Sequence, residues 1–165
     1  EFEEGKDWLE RIIALDAEYG EAYRVLGEAL YMNGKYGEAA KNLEKALSLD
    51  PDYETILEFL ALSYYFDNKK SDYLRVLSKI ESSVTDTKGM MRFFIREFYK
   101  HNQYGQVIDL VQANEKLFEK DVETLNVLAA ALFNSGKKTR ARQVWRYVLS
   151  FDPENTDALR GMMTP

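Results

Sequence analysis

An apolar template returns every 34 residues from Gly20 to Asn155 without a slip, dividing the chain into units 20–53, 54–87, 88–121 and 122–155. A period of this length means a stack of one supersecondary unit, because such a unit cannot bury its apolar face alone and does so against its neighbours. One column reads Leu26, Leu60, Phe94 and Leu128, an apolar anchor in every unit. A second reads Gly34, Asn68, Asn102 and Gly136. Gly and Asn best tolerate the left-handed conformation that ends a helix, so each unit reads as helix, turn, helix. Fidelity falls in the middle, where Gly27 and Ala39 give way to Ala61 and Tyr73, then to Ile95 and Val107. Bulk at these positions is expected to spread or rotate the paired helices.

The fullest copy of the pattern is Tyr23, Leu26, Gly27, Leu30, Gly34, Tyr36, Ala39, Leu43, Ala46, Leu47 and Pro51. This resembles the tetratricopeptide repeat, with its aromatic-x-x-Leu-Gly-x-x-Tyr run, Gly-x-Tyr-x-x-Ala and closing Pro. The resemblance implies an all-α, right-handed superhelical solenoid. Residues 1–19 align with the second helix of an earlier repeat, through Phe2, Leu9, Ile12 and Ile13, and 156–165 with the start of a fifth. Both ends are then cut inside a repeat, and arrays normally carry a polar capping repeat, so a fragment of a longer protein is expected. The alternative is self-association, making a homo-oligomer through end residues such as Trp8, Leu159, Met162 and Met163. The junction Ser82 to Gly89, which lacks the Pro of the first and fourth units, is expected to be weak.

Composition narrows the function. With 45% hydrophobic, 30% charged and three Pro, the chain has material for a continuous core and no tract expected to be disordered. No apolar run is long enough to span a membrane, so no membrane insertion is expected. No Cys is present, which leaves cytoplasm and periplasm equally open. The net charge of −6 is graded: residues 1–19 carry 2 basic and 7 acidic groups, whereas 122–155 carry 5 and 3. Lys137, Lys138, Arg140, Arg142 and Arg146 form the densest basic run, too short for a groove that tracks phosphates, so nucleic acid is not expected as partner. His101 is the single His, beside a turn residue, and no metal set, phosphate loop or nucleophile triad can be assembled. The expectation is a non-enzyme without cofactor or metal.

Function then lies in surfaces. In the proteins this chain resembles, the first helix of each repeat lines a concave face. Carried over, that face would present Glu21, Arg24, Glu28 and Tyr31; then Thr55, Glu58, Leu62, Tyr65 and Phe66. Arg92, Arg96, Tyr99 and Lys100 follow, and Glu123, Asn126, Ala130, Phe133 and Asn134 complete it. Tyr31, Tyr65, Tyr99 and Phe133 recur at the repeat period, either as a peptide-binding stripe or as packing between units. Arg92, Arg96 and Tyr99 share a helical face by their spacing and suit an acidic ligand, the competing account being an ion pair of Arg92 with Glu58.

The resemblance also excludes. Chaperone-tail clamps need Lys, Asn and basic residues where this chain has Arg24, Glu28, Phe59, Gly89 and Phe93, or, one unit on, Glu58, Leu62, Phe93, Glu123 and Val127. An asparagine ladder needs Asn where Val25, Phe59, Phe93 and Val127 stand. With Phe59 and Phe93 widening the apolar stripe, the expected ligand is a helix or apolar-anchored peptide of a protein partner, held by a non-catalytic scaffold. Self-assembly through the ends is the runner-up, and a regulatory array attached to an enzyme the third reading.

Overall fold

The computed structural model describes residues 1–51, 56–83 and 86–164, except for the side chains of 81–83. Thr55 and part of the 82–89 junction therefore lie outside the described residues. Two compact units divide the chain at Thr85 and Asp86. The first holds α1 (Phe2–Leu15), α2 (Gly20–Met32), α3 (Tyr36–Leu49), α4 (Ile56–Phe66) and α5 (Lys70–Ser83). The second holds α6 (Thr87–Lys100), α7 (Tyr104–Ala113), α8 (Glu115–Phe118), α9 (Val122–Asn134), α10 (Lys138–Phe151) and α11 (Thr156–Met163). The described residues contain no strand, and the fold is an all-α helical repeat.

Packing follows the repeat. α2 lies on α3, α4 on α5, α6 on α7 and α9 on α10; within each unit the next first-type helix lies on the preceding second-type helix, α2 on α1 and α4 on α3 in the first, α9 on α7 and α11 on α10 in the second. The anchor column is buried throughout, with Leu26, Leu60, Phe94 and Leu128 all below a tenth exposed. The small residue matters where expected: a Cβ built on Gly27 would meet the Leu43 side chain at 2.6 Å.

All four expected turn residues have positive φ: Gly34 73°, Asn68 58°, Asn102 57° and Gly136 82°. Each turn closes in the same way. The amide after the left-handed residue reaches back five residues, Lys35 to Leu30 O at 2.9 Å, Lys69 to Tyr64 O at 2.9 Å, Gln103 to Phe98 O at 2.8 Å and Lys137 to Leu132 O at 2.8 Å. The left-handed residue's own amide bonds three residues back, to the carbonyls of Tyr31, Tyr65, Tyr99 and Phe133. These paired bonds are the Schellman motif, which satisfies the carbonyls a helix end leaves free. The periodic aromatics thus sit at the last turn of each first-type helix.

The third repeat departs from the alternating pattern. Ala46, Ile80 and Val148 are buried at one column of the second-type helix, and Asn114 stands there in the third copy. Asn114 Nδ2 donates to Leu110 O at 2.9 Å, α7 ends at Ala113, and the short α8 starts again at Glu115. An amide that bonds the preceding turn competes with helix propagation. Phe118, 1% exposed, fills the core from α8.

Candidate functional site

The first unit uses its expected contact residues mainly to hold itself together. Tyr31 is 3% exposed, its ring 5.3 Å from Phe59, 5.6 Å from Tyr36 and 6.3 Å from Phe66. These rings join α2, α3 and α4 through edge and tilted contacts. Packing is therefore the role of Tyr31, and Leu62, 0% exposed, is likewise core rather than surface. Phe59 is half-buried in the same cluster. Arg24 is fixed along its helix, with Glu21 and Glu28 each at 2.5 Å. Glu58 is half-buried and also engaged. Tyr65 is half-buried against Phe66 at 5.2 Å and Tyr73 at 5.4 Å, and burial raises its phenol above the usual range.

In the second unit, the Arg92 guanidinium grips Asp121, Nε at 2.9 Å. Lys88 Nζ lies 2.9 Å from the same carboxylate, which also accepts from the Thr124 amide at 3.1 Å and so caps α9. Burial alone would raise the Asp121 carboxyl, but the hydrogen bonds from Lys88, Thr124 and Arg92 together hold it below the ordinary carboxylate range. Arg96 pairs loosely with Glu123 at 3.3 Å, both half-exposed at the side chain. Spacing placed the two arginines on one face, and both turn toward the start of the next first-type helix. Phe93 is half-buried, edge-on to Phe94 at 6.2 Å.

Six expected face residues, Tyr99, Glu123, Asn126, Ala130, Phe133 and Asn134, do come together, lining a cavity of about 510 Å3 among α6, α9, α10 and α11. Its aromatic floor is built on contacts: Phe133 lies 5.9 Å from Trp145, Tyr99 5.6 Å from Tyr104, and Tyr99 Oη accepts from Asn134 Nδ2 at 3.2 Å. Polar orientation comes from a relay. Asn155 Nδ2 donates to Asp152 at 2.9 Å, which leaves Asn155 Oδ1 to accept from the Ala158 amide at 3.0 Å and from Asn126 Nδ2 at 2.9 Å. The acceptor-only carboxylate at its root fixes each amide in turn, so the atom Asn126 has left is its oxygen. That oxygen is buried and accepts no hydrogen bond among the described residues. An unmatched acceptor beside aromatic rings suits a ligand that brings an N–H.

Sequence reasoning missed the far wall. Trp145 belongs to a second-type helix and lies under α11, which approaches because Gly161 has no side chain; a Cβ there would fall 2.2 Å from the indole. The visible signal was a Trp in the column occupied elsewhere by Leu43, Leu77 and Val111. Lys138, a member of the basic run, sits 5.1 Å over the Phe133 ring. The basic run is dispersed, with Arg142 bonding Thr164 O at 3.1 Å and Arg140 lining a different cavity. Among the described residues, no three His, Asp or Glu side chains are grouped to hold a metal, and no helix is long and apolar enough to cross a membrane.

Residues 20–53 match the family model of the tetratricopeptide repeat. Among solved structures, yeast Tom70 superposes with a TM-score of 0.59 at 18% identity, over 95% of this chain and 34% of that one. YrrB, described as a TPR protein with an unusual peptide-binding site, gives 0.52 at 19% identity, over 93% and 79%. MamA of MSR-1 gives 0.52 at 17%, over 87% and 82%. This chain thus spans about a third of Tom70's length, and at these identities the likeness is one of fold. No curated protein sequence matches the chain significantly.

Proposed function

With the chain taken as a tetratricopeptide repeat protein, we propose that it is a non-catalytic scaffold that holds a peptide or helix of a partner protein, with the Tyr99–Asn126–Phe133 cavity as the anchoring point. The observation that carries this reading is the orphaned Asn126 oxygen beside an aromatic floor. A peptide offers both complements, an N–H for the oxygen and an apolar side chain for the rings. The chain is divided in this reading into four repeats, 20–53, 54–87, 88–121 and 122–155, and the cavity belongs to the last of them together with α6 and α11.

The test is a screen of short peptides against the whole chain, followed by titration of the best binder into variants. Phe133→Ala is expected to weaken it by more than about 1 kcal/mol, as aromatic anchors do. Asn126→Ala is expected to cost about 1 kcal/mol, the net worth of one hydrogen bond. Full affinity in both variants, with helicity and melting unchanged, would reject the site.

A second reading, self-association through the end helices, is favoured by the exposure of Trp8 at 61% and Leu15 at 89% on α1 and of Met163 at 84% on α11. Sedimentation over a concentration series decides it: a monomer throughout removes this reading.

A further inference from the structure

Positions 68 residues apart occupy equivalent places in the two units, so a cavity in one has a counterpart in the other. Between α3, α4 and α5 the space is about 210 Å3. Between α7, α8, α9 and α10 it is about 380 Å3. Four of the positions that differ between the units bear on this space. Tyr64, Glu44, Arg75 and Asp72 in the first unit correspond to Leu132, Gln112, Gln143 and Arg140 in the second.

In the first unit these four side chains form a plug. Tyr64 is 5% exposed and its hydroxyl donates to Glu44; burial and that bond hold the phenol above its usual range. The Arg75 guanidinium lies 5.9 Å over the Tyr64 ring and pairs with Glu44 at 3.1 Å and Asp72 at 3.2 Å. An aromatic ring thus fills the space and a neutralised cation covers it. The second unit keeps the apolar floor, with Val111, Phe118, Leu125, Leu128, Leu132 and Val144, and loses the ring and its cover. Its exposed lining includes Arg140 from α10 and Glu115 and Glu119 from and beside α8, none of which forms an ion pair among the described residues. At about 380 Å3 the groove falls within the range of binding cavities, and its counterpart falls below it.

We propose that this groove takes an aromatic side chain from a partner protein, carried on a segment with an acidic residue facing Arg140 and a basic residue facing Glu115 and Glu119. The partner supplies in trans the ring and charges that Tyr64, Arg75 and Asp72 supply within the first unit. The first unit states the occupant's chemistry, and these exposed charges state its flanks. This site shares no lining residue with the Tyr99–Asn126–Phe133 cavity, so each proposal stands or fails alone.

The probe is a helical peptide with one central Trp, Glu on one flank and Lys on the other, titrated into the isotopically labelled full chain and followed by NMR. Methyl signals of Leu128, Leu132 and Val144 are expected to shift, with binding about tenfold tighter than for the same peptide carrying Ala in place of Trp. Rebuilding the plug with Leu132→Tyr, Gln112→Glu and Gln143→Arg is expected to abolish the shifts. If that triple variant does not fold, Arg140→Glu, a change at an exposed residue, is expected to weaken the peptide and to be rescued by a peptide with Lys in place of the Glu flank. Equal binding of the Trp and Ala peptides, shifts centred on Tyr99 and Phe133, or no rescue would overturn the proposal. So would free indole entering the groove while the Trp peptide does not, since the cavity would then serve a small molecule.

Discussion

The two compact units solve the same packing problem in opposite ways. In the first, a missing side chain brings helices together: Gly27 lies against Leu43, and Tyr64, covered by the paired Arg75, fills the groove. In the second, the matching positions carry Ile95 and Val111, α7 stops at Asn114, and the groove stays open. The helix starts differ too. Asp86, Asp121 and Asn155 each cap a first-type helix of the second unit with a side-chain oxygen, whereas α2 begins at Tyr19 without one. The first unit is thus closed by contacts within itself, and the second is held at its helix starts while the two cavities described above stay open. A repeat frame tolerates this exchange because its turns do not depend on it.

The sharpest way to break that contrast is by volume. Ile95→Ala in the second unit is expected to cost about 2–5 kcal/mol by opening a cavity, and Gly27→Ala in the first about 1–3 kcal/mol by overpacking Leu43. Urea unfolding measures both, and a stabilising Gly27→Ala would contradict the close approach.

Next comes acid. Because Asp121 is held below its usual range, its contribution is present above the unfolded carboxyl pKa and is lost as pH falls through the folded one. Asp121→Asn keeps a capping oxygen but removes the charge that Lys88 and Arg92 meet, and is expected to cost about 1.5–3 kcal/mol at neutral pH, the scale of a hydrogen bond to a charged group. Below the folded pKa of Asp121 that difference should shrink, which urea titrations at several pH values would show.

The turns should respond alike in both units. Nothing lies within 4 Å of a Cβ built on Gly34, so Gly34→Val isolates the cost of a left-handed backbone, about 1–2 kcal/mol. A melting temperature that does not move would refute the conformational assignment. The smallest effect is expected for Tyr64→Phe, about 0.5–1.5 kcal/mol from one lost hydrogen bond. An equal loss on Leu132→Ala would blur the distinction between plugged and open grooves, since cavity formation there should cost more.

Much of this was legible because the decisive residues act locally. Gly34, Asn68, Asn102 and Gly136 declare their turns through backbone preference alone, and the anchor column needs only a period. The site was harder. Spacing puts Arg92 on a face but does not say which carboxylate comes within reach, and Asp121 lies at the start of the next first-type helix. Periodicity marks Tyr31 and Phe133 as equivalent, yet Phe59 and Phe66 bury one while Trp145 and Gly161 leave the other beside a cavity. Asn114 stood in the sequence as a polar residue in an apolar column, and its meaning as a helix stop depended on its bond to Leu110 O.

The shared turn has a kinetic consequence. Its closing bonds reach back no more than five residues, so a helix pair forms without first closing a long loop, and the entropic delay that slows non-local topologies is small. Each hairpin is then a possible starting point for folding, from which order spreads to the neighbours it touches. A substitution at Gly34 would slow refolding only to the extent that this hairpin starts the process, and comparing its folding-rate effect with that of a change at Gly136 would reveal where the chain begins to fold.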